Sequence, residues 1–155
     1  MGGKGGYRKQ NTMQQTARDL RNERVIIRIL EGSFPVFKSV DLKQAGRASL
    51  FDFQGFKGDQ VILEVDVKVR DYASDRFKDL FVSTNKVNYV KENLEREYYV
   101  AFYFKGDYVL RVYYLNDMDM ETYDLEFTHK RTKKEMKQKV FKIPADNHCF
   151  EANLV

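Results

Sequence analysis

The sequence predicts a mixed α+β (α/β) domain, a central mixed β-sheet flanked by helices. Three observations predict it. Residues 61–70 alternate strictly, with Val61, Leu63, Val65, Val67 and Val69 on one face and Ile62, Glu64, Asp66, Lys68 and Arg70 on the other. Helical spacing of apolar residues precedes that strand and returns after it. Two aromatic-rich segments, Glu97–Phe104 and Tyr108–Leu115, then follow around the short turn Lys105-Gly106-Asp107.

In chain order, Met13, Ala17, Leu20, Ile27 and Leu30 fit one helix face, with Arg18, Arg21, Arg24 and Arg28 outside it and Gly32 as a C-cap. The β-branched stretch Arg24–Leu30 also permits a strand. Val36–Leu42 and Ser49–Gln54 read as strands, and Gly55 to Gly58 as a hairpin turn into the long strand. On that reading Phe51 and Phe53 share one face, and Asp52 shares the other with Leu50 and Gln54. Residues 71–82 form a polar connection around Leu80-Phe81-Val82. Ser83-Thr84 offers an N-cap to a helix reaching about Leu94, with Val87, Val90 and Leu94 turned inward. Thr122–Thr128 reads as a strand, the basic run 130–139 as a solvated helix face, and Val140–Ile143 as a final edge strand closed by Pro144.

Composition narrows the function. With 43% hydrophobic and 32% charged residues over 155 positions, the chain is expected to fold as one domain with its own core, not to stay disordered. The net charge of +4 permits a polyanionic partner. That charge is uneven: Lys4, Arg8 and Lys9 lie in a Gly-rich N-terminal arm (1–11), and residues 130–139 hold six cations against one acid. Cys149 is the single cysteine, which excludes an intrachain disulfide. No apolar run approaches the roughly 18 residues a membrane span needs. Met1–Gln15 lacks the apolar core of a signal peptide, and Gly6 stands where a myristoylation signal has Ser or Thr. The expectation is a cytoplasmic, reducing location without membrane partners. Neither His129 nor His148 has the context of a nucleophilic triad, and His148-Cys149 supplies too few ligands for zinc.

The chemistry concentrates on the polar face of the 60–70 strand. Glu64, Asp66, Lys68 and Arg70 stand in one row, about 7 Å between successive members. If the preceding strand pairs with it in register, Asp52 lies on the same side. Two carboxylates can hold Mg²⁺ through oxygen, and a neighbouring lysine can orient a nucleophile or steady developing negative charge. An exposed alternating strand carrying a salt-bridge ladder would have the same pattern. Glu64 fits either reading, as a rung of that ladder or as a metal ligand.

Helix, strand, Asp-bearing strand, hairpin, acid-x-Lys strand, helix and strand, in that order, resemble the core of the PD-(D/E)xK nuclease superfamily. That superfamily includes restriction endonucleases, Holliday-junction resolvases and phage-type nucleases. The resemblance runs from about Thr12 to Leu115. Phe51-Asp52 takes the place of the "PD" element, with Phe for Pro, and Asp66-Val67-Lys68 that of "(D/E)xK". It implies a restriction-endonuclease-like core within a single nuclease-like domain (12–155). It also implies a Mg²⁺- or Mn²⁺-dependent nuclease acting on DNA ahead of RNA, with a homodimer allowed. Asp52 and Asp66 would be the metal ligands and Lys68 the catalytic base or charge stabiliser. Glu23 on the first helix, with Glu31 second, and Lys86 on the later helix would support them. Lys4, Arg8, Lys9, Lys130, Arg131, Lys133 and Lys134 would contact phosphates. Arg47-Ala48-Ser49 has a faint likeness to the Arg/Ser elements of junction resolvases. A phage or mobile-element origin would place the protein at a nucleoid or in host cytoplasm. The competing expectation, from a different class, is a non-catalytic nucleic-acid-binding or assembly protein of viral or mobile-element type.

Overall fold

A computed structural model describes residues 22–118 and 121–154. Residues 22–33 form helix α1, so the strand alternative for Arg24–Leu30 is excluded, and the helix continues past Gly32. A single turn α2 (Pro35–Lys38) comes next, followed by β1 (Asp41–Gln44), β2 (Phe53–Lys57), β3 (Gln60–Arg70), β4 (Asp79–Ser83) and α3 (Thr84–Glu92). The chain continues through β5 (Glu97–Phe104), β6 (Val109–Tyr114), β7 (Glu121–Thr128), β8 (Glu135–Pro144) and β9 (Phe150–Asn153). The main sheet has the order β1-β2-β3-β5-β6-β9, and β4-β8-β7 form a second, smaller sheet. All ladders are antiparallel except β3 with β5. A parallel neighbour cannot be reached by a tight turn, so the chain crosses over through β4 and α3. The expected mixed sheet flanked by helices is the architecture found.

Both faces of the main sheet are covered. On one side α1 and α2 bring Ile26, Ile27, Leu30 and Phe37 against Leu63, Val65, Val67, Tyr99 and Val112. On the other, α3 and the small sheet bring Val87, Val90, Val82, Phe141 and Ile143 against Tyr98, Val100, Phe102 and Tyr113. The polar row of β3 therefore faces protein. Glu64 is 1% exposed and Asp66 2%, which excludes the solvated ladder.

Several element boundaries differ from expectation, each for a local reason. Val36–Leu42 is not a strand: Pro35 opens a helical turn, its fixed φ suiting the first helical position, and strand pairing begins only at Asp41. Phe51 and Asp52 lie at a bend ahead of β2. Phe51 and Phe53 consequently enter opposite cores instead of sharing a face. The turn into β3 is Gly58-Asp59, with Gly58 at φ 64°, and β2 continues through Gly55 as far as Lys57. Leu94 lies beyond the end of α3 and is 59% exposed, not inward. The basic run is no helix face; it is the tip of a β7–β8 hairpin and the first half of β8. Val140–Ile143 belongs to the middle strand of the small sheet, not to an edge.

Gly55 has a packing role. A Cβ there would lie 2.7 Å from Cγ and Cδ1 of the buried Leu63, beside a bulge in the β2–β3 ladder. Gly55→Ala is expected to destabilise the fold by about 1–3 kcal/mol through overpacking, read as a lower urea midpoint with an unchanged slope.

Candidate active site

The site is built around Asp66. Its position at the centre of β3, between β2 and β5, makes it the most enclosed carboxylate of the row after Glu64. Asp52 comes to it from the bend before β2, one residue beyond the Phe53↔Val65 pair. Its Oδ2 accepts the Val67 N–H at 2.9 Å, supplying β3 with an acceptor where β2 has left the ladder. The two carboxyls are hydrogen-bonded to each other.

Two lysines complete the group. Lys68, two residues along the same strand face, places Nζ 3.1 Å from Asp66 Oδ2. Lys86 reaches the same oxygen at 2.5 Å from the first turn of α3. Ser83 caps that helix, its Oγ accepting the Lys86 N–H, so the cap sets the place from which the side chain projects. The side chain of Lys86 is 12% exposed and that of Lys68 36%. Lys86 is therefore the more enclosed of the two and Lys68 the more open, and both border the same cavity.

Electrostatics divides the carboxyl pair. Burial, the hydrogen bond to Asp66 and the Asp66 charge push Asp52 up to about 7, against the lowering effect of the Val67 N–H; Glu23 on α1 adds to the rise. Burial pushes Asp66 in the same direction. The hydrogen bond with Asp52 and the charges of Lys68 and Lys86 outweigh it, and Asp66 is held below the usual carboxylate range. Asp66 is thus the anion of the dyad and Asp52 carries its proton. Burial also depresses both ammonium groups. At Lys68 the Asp66 carboxylate outweighs burial and the pKa rises. At Lys86 burial prevails, helped by the charge of Lys68, and the pKa falls.

The expected residues are not all assembled. Asp52, Asp66, Lys68 and Lys86 form one contact group, with Glu23 acting on Asp52 through its charge. Glu31 borders a separate groove with Arg24, Arg28 and Leu42. Ser49 accepts the Phe51 N–H in a local turn. Glu64, expected either as a metal ligand or as a rung of a ladder, is engaged by other side chains. Its carboxylate accepts from Tyr89 Oη at 2.9 Å and Arg96 Nη1 at 3.2 Å, tying β3 to α3 three residues beyond Lys86. Lys130, Arg131, Lys133 and Lys134 are exposed at the β7–β8 turn, where His129 Nδ1 accepts the N–H groups of Arg131 and Thr132. Lys4, Arg8 and Lys9 lie outside the described residues.

A cavity of about 290 Å³ opens beside the dyad. Asp66, Lys68 and Arg70 form its floor, Lys86 and Ser83 one side, and Leu125, Gln138 and Val140 of the β7–β8 hairpin another. Arg70, named in the charged row of the strand but given no role there, also borders the cavity. The available signal was its place two residues beyond Lys68 on the same face. Gln138 gave no such signal, because its position depends on how the second sheet folds over the first.

The donor set suits a hard divalent cation. Two carboxyls that share a proton offer oxygens to Mg²⁺ or Mn²⁺, which is satisfied by one or two carboxylates with water or phosphate in its other positions. Among the described residues no cluster of three His, Cys, Asp or Glu side chains forms a full protein cage. No helix among them is long and apolar enough to cross a membrane.

No family model matches the chain, and no curated protein does. Among solved structures, the 1.6 Å structure of Hjc, a Holliday junction resolvase from the archaeal hyperthermophile Archaeoglobus fulgidus, is similar to it. The similarity covers 87% of this chain and 90% of that one, with a TM-score of 0.49 and 18% identity.

The Asp52 shift has a measurable sign. A carboxyl at about 7 when folded, and near 4 when unfolded, keeps its proton in the native chain through the interval between. Without metal, stability therefore falls as pH rises from about 4 to 7, whereas the depressed Asp66 contributes stability that is lost only below about pH 4. Urea midpoints measured in EDTA should show that decline, and Asp52→Asn should flatten it. Separately, Arg96→Ala leaves Glu64 with Tyr89 alone and should cost about 3 kcal/mol, measured by urea denaturation.

Proposed function

We propose that this protein is a Mg²⁺-dependent nuclease that hydrolyses phosphodiester bonds, in DNA ahead of RNA. The observation that carries the reading is the contact group itself: Asp52 hydrogen-bonded to Asp66, with Lys68 and Lys86 both on Asp66. Near neutral pH two ammonium groups face one firmly ionised carboxylate, and Arg70 adds a further cation to the cavity floor. A phosphodiester is the kind of anion such a cavity would take.

Asp52 and Asp66 would hold the cation. When bound, it lowers the pKa of a coordinated water and offsets charge building on the phosphate. The remaining work falls to the chain. Lys86 holds Asp66 ionised and in place from the α3 side of the cavity. Lys68, the lysine more open to the cavity, meets the phosphate oxygen or orients the attacking water. Water attacks phosphorus, one ester P–O bond breaks, and the leaving oxygen takes up a proton. Asp52 must release its proton before it can act as a ligand. Lys130, Arg131, Lys133 and Lys134 at the hairpin tip would grip phosphates farther along the strand. Lys4, Arg8 and Lys9 are proposed for the same task.

Cleavage of DNA and RNA oligonucleotides should appear with Mg²⁺ or Mn²⁺ and vanish in EDTA. Asp66→Ala should abolish it, and Lys68→Ala should lower kcat about 100-fold or more, with circular dichroism confirming the fold. Undiminished cleavage by both variants would overturn the assignment, while binding without cleavage in any metal would make the protein a non-catalytic nucleic-acid binder. Adding Mg²⁺ at pH 6 should release about one proton per chain, seen as a buffer-dependent calorimetric enthalpy, and Asp52→Asn should suppress it.

A further inference from the structure

The β7–β8 hairpin has one charged face and one apolar face, and the apolar face continues outward from the cavity. In its ladder Leu125 pairs with Gln138 and Phe127 with Met136; in the adjoining ladder Ser83 pairs with Val140. Side chains two apart on a strand share a face, so Val140, Gln138 with Leu125, and Met136 with Phe127 succeed one another along one side. The inner members line the cavity that holds Asp66 and Lys68. Phe127 and Met136 lie about 7 Å farther out, and are 41% and 42% exposed. On the opposite face Asp124 pairs with Lys139 and Glu126 with Lys137, and Lys137 Nζ lies 3.9 Å from Asp124.

We infer that Phe127 and Met136 form a stacking subsite for an unpaired base on the strand whose phosphate enters the cavity. The phosphate placement rests on the nuclease reading above. Three observations favour this occupant. The apolar pair lies between a cavity containing Lys68 and Arg70 and a tip bearing Lys130, Arg131, Lys133 and Lys134, so whatever covers it is anionic on both sides. An aromatic ring beside a polarisable thioether suits the flat face of a base. Finally, a cavity of about 290 Å³ around a carboxylate only 2% exposed has room for a nucleotide, not a duplex. Inside a duplex every base face is already stacked, and drawing a base out costs a few kcal/mol unless it is unpaired beforehand. The substrate class is therefore a nucleic acid with unpaired nucleotides at the cut position, such as a single strand or a flap, in preference to continuous duplex.

The experiment measures binding in EDTA, so it does not depend on cleavage. Oligonucleotides carrying 2-aminopurine, single-stranded or within a perfect duplex, are titrated with the full chain. Wild-type protein should change the fluorescence of the single strand and bind it more tightly than duplex. Combined Phe127→Ala and Met136→Ala should abolish that change and weaken single-strand binding about tenfold, leaving duplex binding within about twofold. Phe127→Tyr should retain both properties. Equal loss on the two substrates, no loss, or a wild-type dimer on gel filtration that the double variant dissociates (a second copy covering the pair) would each overturn the subsite. Stacking without Mg²⁺-dependent cleavage would keep the subsite and reject the nuclease reading. Cleavage that ignores the double substitution would do the reverse.

Discussion

A carboxylate buried in the middle of a six-stranded sheet has lost most of its hydration, and an unpaired charge there would take up a proton. Asp66 stays ionised because two lysines reach the same oxygen and Asp52 donates a hydrogen bond. Much of the surrounding structure serves that contact. Ser83 fixes the start of α3, so Lys86 arrives from one direction. Glu64, itself buried, holds Tyr89 and Arg96, so α3 cannot drift along the sheet. The bend at Asp52 lets its side chain serve both β3 and the dyad.

The same arrangement explains why two chemically identical side chains behave differently. Asp52 and Asp66 both lose water, but the cations lie on Asp66 alone, so desolvation prevails at one carboxyl and charge pairing at the other. The lysines divide likewise, because one carboxylate cannot fully compensate two ammonium groups. At Lys68 the charge of Asp66 prevails, and at Lys86 burial and the charge of Lys68 do. An excess of positive charge remains on the open side, where an anion can enter.

Much of this was legible in residues 60–70, because strict alternation in a central strand leaves only the register undetermined. The period alone puts Asp66 and Lys68 on one face, and the Ser83 cap puts Lys86 in the first turn of α3; their grouping with Asp52 as a site came from the resemblance to the PD-(D/E)xK core. Asp52 was legible for a partly mistaken reason. It does reach Asp66, but from a bend and not from within a strand. The Gly55-to-Gly58 spacing misled because Gly58 supplies the positive φ, whereas Gly55 makes room for Leu63. What could not be read was how the second sheet folds over the first. Its pairing joins β4 to strands that follow far along the chain, and no local period reports such a contact. Lys-rich β8 is highly charged yet is the middle strand, since Lys137 and Lys139 are matched by β7 and Phe141 and Ile143, farther along the same face, are buried.

That second sheet determines what kind of site this is. Without it, only α3 would cover the polar row of β3, and Lys68 and Arg70 would lie on an open shelf. With it, the row becomes the floor of a cavity whose wall, the β7–β8 hairpin, projects toward solvent with a basic tip. A two-stranded ribbon is marginal by itself; here β4 and the core beneath Phe141 and Ile143 anchor its base. The outer half, from Phe127 and Met136 to the tip, contributes little to that anchorage. Its exposed apolar pair and its cations are better explained by what they meet in solution than by what holds the fold together.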